Sequence, residues 1–207
     1  MATLLAVYSD SIKMTPIINE LFNSVILPQL KLDNDSDTAK ILFAALQEAI
    51  SHTTILAIET QIIGHVSRQC IDPLKNIMNI PGQYRRTNRD IPTQASVFLE
   101  NLFEASELFF LNSNIHIESR LKWRTEIAKR ILDAFVINLG KMLMSVRQIE
   151  ESLKRFKKKT DGNIPIGVSD EDKIRAQVRL DIAFVRRGLL KEGLNVASLG
   201  ELDSITC

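Results

Sequence analysis

The chain has 207 residues, 45% of them hydrophobic and 25% charged, with a net charge of +1. That length suits one sizeable core or two small ones, and the composition excludes wholesale disorder. Eight Gly and six Pro, clustered at a few places, leave long uninterrupted stretches, as few long helices require. Nothing global steers the chain toward nucleic acid, but the charge is uneven. Residues 1–80 carry 5 Lys+Arg against 8 Asp+Glu, a net of −3, and residues 81–207 carry 21 against 17, a net of +4. The excess peaks in 120–159, with 12 basic residues against 4 acidic, a net of +8 that favours an acidic protein or an anionic lipid surface.

Helical periodicity dominates, and no polar–apolar alternation bounded by turn dipeptides marks a strand. A short helix is predicted over 2–13, and Pro16 suits the first turn of a second one reaching about residue 30. Leu32 to Asp37 is a polar break, after which Ser36 or Asp37 caps a helix running to about Cys70. Its apolar residues, among them Ile41, Leu42, Phe43, Leu46, Ile50, Leu56, Ile62 and Val66, occupy more than one face, as in a central helix. Pro73 restarts or kinks the chain, Pro81-Gly82 ends it, and 81–92 reads as a loop. Phe98, Leu102, Ala105 and Phe109 then mark a Phe-rich helix broken by Asn112-Ser113-Asn114.

Residues 115–159 read as one helix of roughly 65 Å. Leu132, Phe135, Leu139, Met142, Val146, Ile149, Leu153 and Phe156 follow one another at three and four residues, the spacing of heptad a and d positions. Ile131, Val136 and Leu143 widen the stripe early, so burial is expected first and exposure later. Glu150–Lys154 and Glu151–Arg155 are favourable i,i+4 pairs. A linker containing Asp161-Gly162-Asn163 and Pro165 leads to a last helix over about 170–190. Ser169 with Asp172 resembles a capping box at its start, Ile174, Val178, Ile182, Val185 and Leu189 line its apolar face, and Gly193 ends it. An antiparallel pair is expected, with Ile149, Leu153 and Phe156 against Ile174, Val178 and Ile182. The expected organisation is an all-α, elongated bundle of about five or six helices. Residues 1–159 form the bundle, 160–169 a linker, and 170–207 a C-terminal helix packing back on it.

A search for chemistry finds no catalytic, cofactor-binding or metal residue. His52 and His65 lie thirteen apart on one helix, about 220° around it, and cannot share a ligand. With His116 they read as surface or core-edge histidines, and Cys70 reads as a buried structural thiol. The eight glycines form no phosphate loop. Two well-separated cysteines favour a reducing cytosolic setting, and Asn34-Asp35-Ser36 means nothing as a sequon there. The N-terminus lacks the basic region of a signal peptide, and no apolar run approaches a membrane span. Two basic features remain. Lys154, Arg155, Lys157, Lys158 and Lys159 close the long helix, where a solvated end competes with an acidic or lipid contact. Tyr84, Arg85, Arg86 and Arg89 lie in the interior loop, where bonds to helix carbonyls or carboxylates are the simpler account than RNA.

Three stretches carry a family resemblance. Tyr84-Arg85-Arg86-Thr87-Asn88-Arg89-Asp90-Ile91-Pro92-Thr93 is similar to a motif in the C-terminal region of subunit 2 of the conserved oligomeric Golgi (COG) complex. Glu150-Glu151-Ser152-Leu153-Lys154-Arg155 follows in order. Then, after a variable linker, come Ser169-Asp170-Glu171-Asp172-Lys173-Ile174-Arg175, Leu180-Asp181 and Gly193-Leu194, so the resemblance covers roughly 80 to 200. It implies a non-catalytic subunit of a helical-rod tethering complex that captures vesicles recycling within the Golgi, at the cytosolic face. It also implies other COG subunits, SNARE proteins and Rab GTPases as partners, peripheral membrane association and no nucleic acid. Members are longer, with an N-terminal coiled-coil part, so a fragment, a short isoform and a shortened gene product are all expected readings of this chain. A generic cytosolic helical adaptor binding an acidic coiled coil, and a nucleic-acid-binding domain using 120–159, are the rival expectations.

Overall fold

Ser36 opens the first well-capped helix, its Oγ accepting the Ala39 N–H at 3.1 Å, so one orphan donor of the first turn is satisfied by side-chain chemistry. The computed structural model describes residues 1–31, 33, 36–85, 90–113, 115–157, 169–200 and 202. Among them there is no strand, and the all-α expectation holds. The chain divides into two compact units, Met1–His65 and Val66–Cys207.

In the first unit α1 (Ala2–Leu21) passes into a π-helical turn (Phe22–Ile26) and a short turn (Leu27–Gln29). The expected break near Pro16 does not occur. Proline there removes one bond of the helical ladder, but the helix is held on both sides of it. Before it, the Tyr8 hydroxyl donates to Glu59 Oε1 at 3.0 Å, both residues buried. Beyond it, Phe22 and Leu27 pack with Ala39, Ile26, Phe43 and Leu46, the Phe22 and Phe43 rings 5.2 Å apart. The next long helix is also interrupted: α2 (Asp37–Glu48) turns into a π segment (Ala49–Ile55) before α3 (Leu56–Ile71). Ile41, Leu42 and Leu56 are exposed, so this helix is not covered all round as its composition suggested; Ala39 faces the core instead.

In the second unit Asp72–Asn79 is a 3₁₀ stretch beginning at Pro73, and it lies along the longest helix. Pro81-Gly82 does not end the chain's helical course. Pro81 sits in the first turn of α4 (Ile80–Tyr84), where a missing N–H costs nothing, and the backbone becomes extended at Arg85. A 3₁₀ turn (Val97–Leu99) and α5 (Glu104–Asn112) follow. They bury Leu99, Leu102, Phe103, Ser106 and Phe110 and leave Phe98, Ala105 and Phe109 half-buried, one residue off the expected face. The tight turn before α5 shifts the phase that a single uninterrupted helix would have kept.

The longest helix, α6 (Ile117–Lys157), is 41 residues or ~61 Å. Trp123, Ile127, Ala128, Ile131, Leu132, Phe135, Leu139, Met142 and Val146 are buried along it, and none of residues 147–153 is. α7 (Asp170–Lys191) buries Ile174, Val178, Ile182, Val185 and Leu189. The Ser169 hydroxyl accepts the Asp172 N–H at 3.1 Å and donates to the Asp172 carboxylate at 2.8 Å, a variant of the expected capping box. The helix ends on Gly193, at φ +97, with Leu194 N–H donating to Leu189 C=O (3.1 Å) and Gly193 N–H to Leu190 C=O (3.2 Å), the paired bonds of a Schellman cap.

Close packing of α7 is most acute at Gly188. A Cβ added there would lie 2.0 Å from Cε2 of the buried Phe103 ring. Gly188→Ala should therefore lower stability by roughly 1–3 kcal/mol by forcing the ring aside. Urea denaturation checks this, with a Gly188→Ala/Phe103→Leu double variant losing less than the sum of the two single losses if this contact is the cause.

Candidate interaction site

The interior loop is fastened to α7 by polar side chains. Gln177 and Asp181, one helical turn apart, point from the apolar face of α7 into the second unit and are buried. The Tyr84 hydroxyl donates to Gln177 Oε1 at 2.6 Å, and Gln177 Nε2 donates to Gln94 C=O at 3.0 Å and to Asp181 Oδ1 at 2.9 Å. Asp181 accepts the Ser96 N–H at 2.7 Å and the Ser96 hydroxyl at 2.8 Å. Burial pushes the Asp181 carboxyl above its ordinary range, while the bonds from Ser96 and Gln177 pull it back. Beside this lattice a groove of about 500 Å³ opens, lined by Gln83, Tyr84, Gln177 and the stretch Pro92–Phe98.

A second buried group stands at the other end of α7. Glu192 accepts from the Ser106 hydroxyl at 3.3 Å and faces Arg124 at 3.6 Å, and the Arg124 guanidinium lies 5.2 Å over the Phe110 ring. Burial raises the Glu192 carboxyl and Arg124 opposes that rise. Cys70 is buried near Ser106, and burial pushes its thiol up to about 11, so hardly any is thiolate at neutral pH. Both clusters fix α7 and the loop in place. Of these residues the sequence reading names Tyr84 in the basic loop and Asp181 only within a family motif, and it misses Gln177, Ser96, Ser106, Arg124 and Glu192. The available signal was Gln177 and Asp181 beside Ile174, Val178 and Ile182 on the helix's own apolar face.

Arg85 is half-buried, and Arg86 and Arg89 lie outside the described residues. His65 and His116 are exposed, and among the described residues no group of three His, Cys, Asp or Glu could hold a metal ion. Lys158 and Lys159, the 160–168 linker and Cys207 lie outside the described residues, as do the side chains of His52, Lys154, Arg155, Phe156 and Lys157. Glu151 meets Arg147 at 3.2 Å, an i,i+4 pair running opposite to the one anticipated.

The expected pairing of Ile149 and Leu153 with α7 is not formed. Ile149 is 38% and Leu153 52% exposed, whereas Val146 is 5% exposed. The C-terminal end of α7 meets the N-terminal part of α6, as in an antiparallel arrangement, through Glu192–Arg124 and through Gly193 beside Thr125. From that anchor a 22-residue helix spans ~33 Å, so it accompanies α6 no farther than about Val146. Beyond that point Ile149 and Leu153 stand exposed among the described residues.

A family model described as COG complex component, COG2, C-terminal, matches residues 1–182. The chain belongs to this family. It is similar to the conserved oligomeric Golgi complex subunit 2 of Homo sapiens, 30% identical over 98% of this chain and 28% of that protein. The subunit 2 of Drosophila melanogaster is 23% identical over 98% of this chain and 30% of its own length. That of Dictyostelium discoideum is 27% identical over 65% of this chain and 16% of its own. The chain thus spans less than a third of the length of these curated relatives. The match to COG2, C-terminal, begins at residue 1 and so takes in the first forty residues, which the three motifs leave out. No solved structure matches.

Proposed function

We propose that this chain acts as the C-terminal helical part of a non-catalytic subunit of the Golgi vesicle-tethering complex, serving intra-Golgi retrograde transport and Golgi organisation. The observation that carries the reading is the alignment of 98% of the chain with the human subunit 2. The construction of the second unit supports it: its buried polar groups lock a loop and a helix together, as a rigid scaffold requires. Its partners are other subunits of the complex, together with SNARE proteins and Rab GTPases. Its place is the cytoplasmic face of the Golgi membrane, held there peripherally. Among the described residues no helix is long and apolar enough to cross a membrane, which fits that placement.

Affinity capture of the tagged chain from cells, followed by mass spectrometry, tests the reading. Other subunits of the tethering complex should be enriched over a control helical bundle of equal size. Capture of a consistent set of partners that contains none of them would contradict it.

A further inference from the structure

The open end of α6 continues the heptad of the buried seam. Ile149 and Leu153 occupy the d and a positions that follow Val146, and Phe156 is the next d by count. The three positions fall within about 60° of one another around the helix, narrower than the ≳100° face by which a helix lies on a core or a membrane. Such a strip fits the flank of one other helix. The charge around it selects the kind. From Arg147 to Lys159 the sequence has 6 basic residues (Arg147, Lys154, Arg155, Lys157, Lys158, Lys159) and 2 acidic ones (Glu150, Glu151), a net of +4. One of the two acids, Glu151, is engaged by Arg147. A parallel second copy of this chain would align the basic ends directly, and an antiparallel one would offer only Glu150 and Glu151 against six basic residues, so either brings two strips of net +4 together.

We infer that the stretch of α6 from Arg147 to Lys157 is a docking strip for an acidic amphipathic helix of another protein. Its apolar a and d side chains cover Ile149 and Leu153, and its carboxylates face the basic helix end. This deepens the proposed function by naming a surface and a partner chemistry. It rests on that reading only for the scaffold role, not for which complex is served.

Two fluorescent synthetic peptides test it against the full chain. Both carry Ile and Leu at a and d over four heptads, one with Glu and the other with Lys at every e and g, so that each repels itself. The Glu peptide should bind at least tenfold more tightly than the Lys peptide, and more weakly as salt rises. Ile149→Asp/Leu153→Asp should weaken that binding at least tenfold without shifting the melting temperature, because both side chains are already exposed. Lys154→Glu/Lys157→Glu, which brings the Arg147–Lys159 stretch to zero net charge, should abolish the parent chain's preference between the peptides. Equal binding of both peptides, or binding unchanged in the Ile149→Asp/Leu153→Asp variant, would overturn the proposal. So would self-association of the chain that this variant abolishes, or sedimentation with phosphatidylserine vesicles in place of peptide binding. Capture of tether subunits would survive any of these failures, and peptide binding would survive the loss of that capture, so the two readings fail separately.

Discussion

Leu139→Asp should cost ~4 kcal/mol or more, enough to remove much of the stability of a domain of ordinary size. Leu139 is 1% exposed at the middle of the buried α6 seam, between Phe135 and Met142, which are equally enclosed. The substitution removes a large apolar side chain and places a carboxylate in an enclosed apolar seam. Met144→Asp on the same helix is the control. Met144 is 65% exposed, and its replacement should change stability by no more than about 0.5 kcal/mol. Urea denaturation followed by circular dichroism compares them, and similar small losses for both would mean that the 132–146 seam is not packed.

Loss of the Asp181 side chain should have the next largest effect. Asp181→Ala leaves the Ser96 N–H and hydroxyl facing a cavity, at a cost of roughly 1–3 kcal/mol. Asp181→Asn separates that loss from the charge. The carboxyl titrates higher in the folded chain than in the unfolded one, chiefly because burial penalises its charged form. The folded state therefore holds the proton more firmly. The stability gained from that is fully present below the unfolded value, near pH 4, and is lost as pH rises through the folded value. Asparagine cannot ionise, so Asp181→Asn should gain stability relative to the parent as pH is raised above about 4. Glu192 shifts in the same direction but is common to both proteins and cancels. Denaturation midpoints of the pair from pH 4 to 7 check this, and a constant difference between them would refute it.

Much of the architecture was legible where apolar spacing is regular and uninterrupted. The 132–146 positions are buried as the heptad required, and Ser36, Ser169 and Gly193 bound their helices by the chemistry their residue types suggested. Legibility failed where local geometry changes phase. The 3₁₀ turn at Val97–Leu99 shifted the Phe-rich segment by one residue, and tertiary contacts at Tyr8 and Phe22 overrode the stop expected at Pro16. The polar lattice was hidden for a different reason. Ser96 and Asp181 stand 85 residues apart, and Tyr84 and Gln177 stand 93 apart, so no local pattern pairs them. The exposed strip was half visible: the heptad announced Ile149 and Leu153, but only the anchoring of α7 at Arg124 shows that its length runs out before them.

The tethering account is tested most directly by the size at which the protein travels in cells. Gradient sedimentation of a lysate, blotted for the chain and for other subunits of the Golgi tether, should place them together in one large assembly. Sedimentation of the chain at the position of the isolated protein, with the tether assembled elsewhere in the gradient, would contradict the account.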